Sequence, residues 1–120
     1  MIDHLTLHVR DVARSRAFYA AALAPLGYVV QMEHEGTVGL GPRGKPILWL
    51  AADPEARPMH LAFHASSRRE VDAFHVAALA AGGEDNGKPG LRPLYHPSYY
   101  GAFVLDPSGH NVEAVCHRPE

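Results

Sequence analysis

Two histidines and one glutamate are the residues of this chain whose types and placement could do chemistry. His4 and His60 each open a short strand-like stretch, HLTLH and HLAFH, and Glu113 lies in the apolar run NVEAV near the C-terminus. Two imidazoles and a carboxylate form a ligand set for a divalent metal with open coordination positions, the kind used to bind substrate or oxygen. Zinc, nickel, manganese and iron all accept such a set, so one divalent ion of this group is the expected cofactor. Alternation sends Glu113 to the face opposite Val112 and Ala114, and a carboxylate within an apolar strand is costly to bury unless it is paired or metal-bound.

The elements that must position these residues are written twice. Residues 4–27 and 60–83 align without a gap at an offset of 56, and ten of the 24 positions are identical. Besides four alanines, the matches are His4/His60, Leu5/Leu61, His8/His64, Phe18/Phe74, Leu23/Leu79 and Gly27/Gly83. Repetition of this kind dictates architecture before any local reading does. Strand 2–9 alternates Leu5, Leu7 and Val9 against His4, Thr6 and His8. Asp11 and Ser67 stand where helix N-caps belong, and Ser67 with Glu70 has capping-box spacing. Apolar stripes at Phe18, Ala22 and Leu23, and at Val71, Phe74, Ala78 and Leu79, suit helices packed on a sheet. Gly27, Gly82 and Gly83 close those helices. Further strands are expected near 28–33, 36–40, 46–52, 84–88, 99–105 and 111–117. The fold class is therefore α+β, a single domain of two βαβββ modules, about 1–53 and 58–117.

The second half of each copy repeats at a larger offset. Laying 40–50 over 105–115 matches Pro42 with Pro107 and Gly44 with Gly109, and makes Leu48 the counterpart of Glu113. The extra residues of copy two fall in the loop-like stretch EDNGKPGLRPLYHPSYY. Pairing Leu105 with Val112 across the final hairpin puts Val104 opposite Glu113, with Ala102 and Tyr100 on its face. Tyr100 is then expected at the cavity rim as a catalytic residue beside Glu113. Arg92, His96 and Tyr99 are expected to bind substrate, with Tyr95 close by, and Arg92 favours a carboxylate or phosphate. His8 and His64 lie four residues of strand, about 13 Å, from His4 and His60, too far to share a metal. They are expected to line the cavity and touch substrate. His75 falls on the apolar stripe of the second helix, at its core edge, and His34, His110 and His117 fall at turns or strand ends.

Composition limits the partners. The 120 residues are 47% apolar with a net charge of −2, and the cations are scattered, so nucleic acid is excluded as a partner. No apolar run approaches a membrane span and no signal peptide is present, so no membrane role is expected. The lone Cys116 suits a reducing cytoplasm. A small-molecule substrate is the expected partner.

The opening HLTLHVRDVARSRAFYAAALAPLGY and the close FVLDPSGHNVEAV resemble the vicinal oxygen chelate superfamily, over essentially the whole chain. That group includes glyoxalase I, fosfomycin-resistance thiol transferases, extradiol dioxygenases and bleomycin-resistance proteins. The resemblance implies paired βαβββ modules forming an incomplete barrel-like sheet around a metal cavity, in a homodimer. It places the metal ligands on His4, His60 and Glu113. The position that carries a fourth acidic or amide ligand in glyoxalase I falls on Leu48, which counts against the standard isomerase. The loop GLRPLYHPSYYG lacks the Ser, Glu and Lys pattern of the fosfomycin enzymes, and the dioxygenases are typically longer. The function implied is a metal-dependent, glyoxalase-like enzyme that polarises adjacent oxygens of a small metabolite, of lyase, isomerase, thiol transferase or dioxygenase type. The alternative is a non-catalytic small-molecule binding protein of the bleomycin-resistance type.

Overall fold

Each copy folds as strand, helix and three strands, in a computed structural model that describes residues 1–120. The first module comprises β1 (Leu5–Val9), α1 (Val12–Ala22), β2 (Val29–His34), β3 (Thr37–Gly41) and β4 (Leu48–Ala52). The second comprises β5 (His60–His64), α2 (Arg68–Ala80), β6 (Glu84–Leu91), β7 (Tyr100–Leu105) and β8 (Asn111–Cys116). The strands form two four-stranded sheets of matching order, β1-β4-β3-β2 and β5-β8-β7-β6, that do not close into a barrel. The first and last strands of each module pair in parallel, and the other pairs are antiparallel.

Local chemistry starts and stops the helices as the sequence implies. Asp11 accepts from the Arg14 N–H at 3.0 Å, and Ser67 accepts from the Glu70 N–H at 3.2 Å. Glu70 reaches back to the Ser66 N–H at 2.9 Å, one residue before the cap, so the capping box is closed in shifted form. Gly82 takes the left-handed conformation just past α2, at φ 96°, whereas α1 already ends at Ala22 and Gly27, at φ 89°, closes the short 3-10 turn Ala24–Leu26 that follows it.

Gly83, the sequence mate of Gly27, does a different job. A Cβ there would lie 2.8 Å from both the Ala78 carbonyl oxygen and Phe18 Cε1 of the other module. Its bareness lets the two modules approach. Gly83→Ala is expected to cost about 1–3 kcal/mol, read by denaturant unfolding, because the helix backbone cannot yield to the added methyl.

One contiguous core of 20 buried residues serves both modules. Leu7, Val9, Leu48 and Leu50 meet Phe18, Tyr19 and Leu23, while Val104, Val112 and Ala114 meet Val71, Phe74 and Ala78. Polar ties cross between the modules at the far end of β1. The Tyr19 hydroxyl donates to Asp106 Oδ2 at 2.6 Å, and the Arg10 N–H donates to Ser108 Oγ at 3.0 Å. His110 is buried there. Its Nδ1 accepts from the Met59 N–H at 3.0 Å and its Nε2 donates to the His8 carbonyl at 2.8 Å. The strand-end position expected of His110 hides this inter-module role.

The register corrects two sequence expectations. Leu105 pairs with Asn111, so Phe103, not Val104, stands opposite Glu113. Leu5 pairs with Leu48 as Leu61 pairs with Val112, and Thr6 with Trp49 as Ala62 with Glu113. The counterpart of Glu113 in the first module is thus Trp49, and Leu48 is buried in the core. Matching the turns by Pro and Gly slips the alignment by one residue, and in a strand one residue exchanges the faces.

Candidate functional site

Glu113 is 1% exposed on β8, on the sheet face away from the helices, and both carboxylate oxygens are engaged. His60 Nε2 lies 2.7 Å from Oε1, and the Tyr99 hydroxyl donates to Oε2. Such bonds satisfy the hydrogen-bonding capacity of a buried carboxylate and fix its rotamer. The His60 side chain is 54% exposed, so one arm of the pair faces solvent while the other is enclosed.

Glycines make room for the aromatic walls. A Cβ on Gly101 would lie 3.2 Å from Tyr99 Cε1 and 3.3 Å from Glu113 Oε2, so the Tyr99 ring reaches the carboxylate only because Gly101 is bare. A Cβ on Gly87 would lie 2.9 Å from Phe103 Cδ1. Phe103 in turn lies 6.1 Å from the His60 ring, and the Arg92 guanidinium sits 5.5 Å from its centroid. Tyr99 is packed edge-on by Tyr95 at 5.1 Å and His117 at 5.2 Å, and His96 meets His117 at 5.8 Å. The loop between β6 and β7 is closed at its base, the Arg92 N–H donating to the Tyr99 carbonyl at 2.8 Å.

The tyrosine expected at the carboxylate was Tyr100, and the structure puts Tyr99 there instead. Tyr100 points toward α2 and donates to Asp72 Oδ1 at 2.6 Å, with Arg68 over its ring at 5.1 Å. The Asp72 bond, reinforced by burial, pushes its phenol pKa up to about 12. Burial, followed by the Glu113 bond, likewise raises the Tyr99 phenol well above its ordinary value, so it is a neutral donor at physiological pH. Tyr99→Phe is expected to free Glu113 Oε2 and alter divalent-ion affinity. Tyr100→Phe should leave that affinity unchanged and remove a pH-dependent part of the stability. Because the folded pKa is the higher one, that part is fully present below pH 10 and lost as pH rises toward about 12. Metal titrations and alkaline unfolding of the two variants check this pair of outcomes.

The remaining candidates are dispersed. His4 holds Asp3 Oδ1 through Nδ1 at 2.6 Å, and Asp3 also pairs with Lys45. The His4 bond first, and then Lys45, hold the Asp3 carboxyl below its usual pKa. No three His, Cys, Asp or Glu side chains are preassembled as a metal cage, so His4 does not join His60 and Glu113 as the chain stands. His64 lines a cleft between the modules with His4, and His8 lines a separate polar hollow with Asp53 and Glu55. His75 is buried at the edge of α2 and bonds Asp85 at 3.0 Å. The signal that could have singled out Tyr99 is the adjacent pair Tyr99–Tyr100 before Gly101: only one of two neighbours can share a face with Glu113.

The donor chemistry fits a divalent ion. His60 offers Nε2 and Glu113 a carboxylate oxygen, and His4 has the carboxylate-held Nδ1 that leaves Nε2 as a ligand. Comparison with known proteins agrees on the family. Residues 1–114 match the sequence model of the Glyoxalase/Bleomycin resistance protein/Dioxygenase superfamily. The uncharacterized protein YqjT of Bacillus subtilis is 30% identical, the alignment covering 96% of this chain and 98% of that one. A glyoxalase/bleomycin resistance protein from Albidiferax ferrireducens superposes with a TM-score of 0.84 at 26% identity, covering 95% of this chain and 97% of the other. A glyoxalase/bleomycin resistance protein/dioxygenase family enzyme from Burkholderia phytofirmans superposes with a TM-score of 0.75 at 20% identity, over 98% of each chain. No helix is long and apolar enough to cross a membrane.

Proposed function

Because the chain belongs to the glyoxalase/bleomycin resistance protein/dioxygenase superfamily, we propose that it is a metal-dependent enzyme acting on a small oxygenated molecule. His60 and Glu113 are two of its protein ligands and His4 is the third. The observation that carries this reading is Glu113: a buried carboxylate in an apolar strand, held by Tyr99 and aimed at an exposed imidazole. A divalent ion there supplies Lewis-acid polarisation of two adjacent substrate oxygens.

The chain's own residues set the conditions for that chemistry. Tyr99 holds Oε2, which leaves Oε1 as the outward donor of Glu113. Ligation requires His60 Nε2 without its proton, so metal uptake releases protons and weakens as pH falls. Phe103 and Tyr99 shield the carboxylate, and Arg92, stacked on Phe103, adds a positive charge that favours an anionic or electron-rich substrate. The position opposite Glu113 in the first module is Trp49, which supplies no fourth ligand, and this separates the chain from the four-ligand isomerases its sequence resembles. Val29 and Met32, exposed apolar side chains on β2, give a second copy a surface to cover in a homodimer.

Metal analysis tests the reading. The chain purified without added salts, then titrated with zinc, nickel, manganese or iron(II), is expected to take up one ion. His4→Ala should weaken uptake at least about tenfold without changing the fold. Unaltered uptake in that variant removes His4 from the ligand set. Absence of uptake by the wild-type chain would favour a non-catalytic binding protein.

A further inference from the structure

Across β8, β7 and β6 one level of the second sheet reads Glu113, Phe103, Gly87. Residues directly opposite each other share a face, so Phe103 and the bare position Gly87 continue the face that carries Glu113. The Arg92 side chain rests on this row. Its Cζ lies 5.5 Å from the Phe103 centroid, and Cβ atoms on Gly87 and Gly90 would stand 3.4 Å from Nη2 and 3.1 Å from Nη1. The two glycines thus leave a shelf for the guanidinium. Nη2 donates to the Lys88 carbonyl at 2.7 Å, and the Arg92 N–H donates to the Tyr99 carbonyl at 2.8 Å. Tyr99 also holds Glu113 Oε2, so one loop base fixes the cation and the carboxylate relative to each other. No carboxylate of the chain pairs with this cation. Nε and Nη1 have no partner, and neither is enclosed. The Lys88 bond takes one of the two Nη2 hydrogens. Whichever it takes, one two-donor edge of the fork stays whole, either Nε with Nη2 or Nη1 with Nη2.

We propose that Arg92 anchors a substrate carboxylate, one separate from the oxygens that meet His60 and Glu113. The inference rests on the reading of those two residues as the reaction centre for which end of the substrate reacts, but not for the anchor itself. Neighbouring strands lie about 4.8 Å apart, which puts Gly87 roughly 10 Å from Glu113 across the sheet. One carboxylate does not bridge that span. The substrate class is therefore a carboxylic acid with its oxygen pair at one end, its carboxylate at the other and a body that passes Phe103. A planar carboxylate meets the free edge of the guanidinium in two parallel bonds. One cation balances such a monoanion, whereas a phosphate dianion calls for a second. Gly87 and Gly90 act through Arg92 as positioning residues, because any side chain there displaces the fork.

Three probes of one shape test this on the full chain by NMR titration: phenylacetate, phenylacetamide and benzylphosphonate. Phenylacetate is expected to bind at least about tenfold tighter than its amide, with or without added zinc. Arg92→Gln should abolish that preference. Arg92→Lys keeps the charge without the fork and should weaken phenylacetate about threefold or more. Gly90 is not in the left-handed region, so Gly90→Ala folds, and its methyl pushes on Nη1. That variant should weaken phenylacetate about threefold or more and leave phenylacetamide unchanged, a split that a loss of fold would not give. Because the preference is read on the metal-free chain as well, the anchor and the metal centre fail separately. A chain that takes no zinc can still prefer the acid, and one that takes zinc can lack the preference. Equal affinity for acid and amide, or a preference that survives Arg92→Gln, overturns the proposal. Tighter binding of benzylphosphonate than of phenylacetate overturns the assignment to a carboxylate, and an unaffected Gly90→Ala overturns the positioning role of that glycine.

Discussion

Glu113→Gln is expected to weaken divalent-ion binding by more than about 100-fold while the chain stays folded. Gln keeps the volume of Glu and can still meet His60 and Tyr99 with its amide, so the neighbouring groups have partners. What it loses is the negative charge, and a neutral amide is a far poorer ligand. Substitutions that merely support a ligand cost 10–100-fold in metal affinity, and removing the ligand charge itself should exceed that. Calorimetric titration with zinc, alongside thermal unfolding of the metal-free protein, separates the two effects. A variant that binds metal normally but unfolds more readily would make Glu113 a structural carboxylate.

The largest loss of stability is expected at a residue far from that chemistry. Asp106 is 5% exposed and accepts three hydrogen bonds: from the Tyr19 hydroxyl, and through Oδ1 from the Ser108 and His110 N–H groups at 2.9 and 2.8 Å. Asp106→Ala leaves all three donors short of a partner in a buried turn, each at about 1–3 kcal/mol, for an expected total of about 3–5 kcal/mol. Tyr19 is buried in α1, and burial followed by Asp106 holds its phenol in the neutral, donating form. Tyr19→Phe removes one of the three bonds and should cost about 1–2 kcal/mol. Denaturant unfolding of the two variants should rank them in that order. Equal losses would mean that the turn closes without its carboxylate.

The repeat made the architecture legible. A gapless match of strand and helix, anchored by His4/His60, Phe18/Phe74 and the helix caps, leaves little freedom in the first half of each module. His60 and Glu113 could be paired from sequence because alternation predicts the face of each independently of the turn between them. The errors lie where a hairpin had to be registered from its turn. Pro42/Pro107 and Gly44/Gly109 match in type but not in place, which made Leu48 the counterpart of Glu113, and pairing Leu105 with Val112 instead of Asn111 put Tyr100 beside Glu113. The strand β6 adds irregular pairing between Asp85 and Gly90, which no alternation rule follows. The position of His4 lay beyond alternation for another reason: its Nδ1 is held by the exposed Asp3, which Lys45 pairs in turn.

Crystals soaked in zinc and measured at the metal's absorption edge test the central claim most directly. The account predicts one anomalous peak per chain, about 2.0–2.2 Å from His60 Nε2 and from a Glu113 oxygen, with His4 Nε2 as the third protein donor. A zinc-bound chain in which His60 and Glu113 still bond each other at 2.7 Å, with the metal elsewhere, would contradict it.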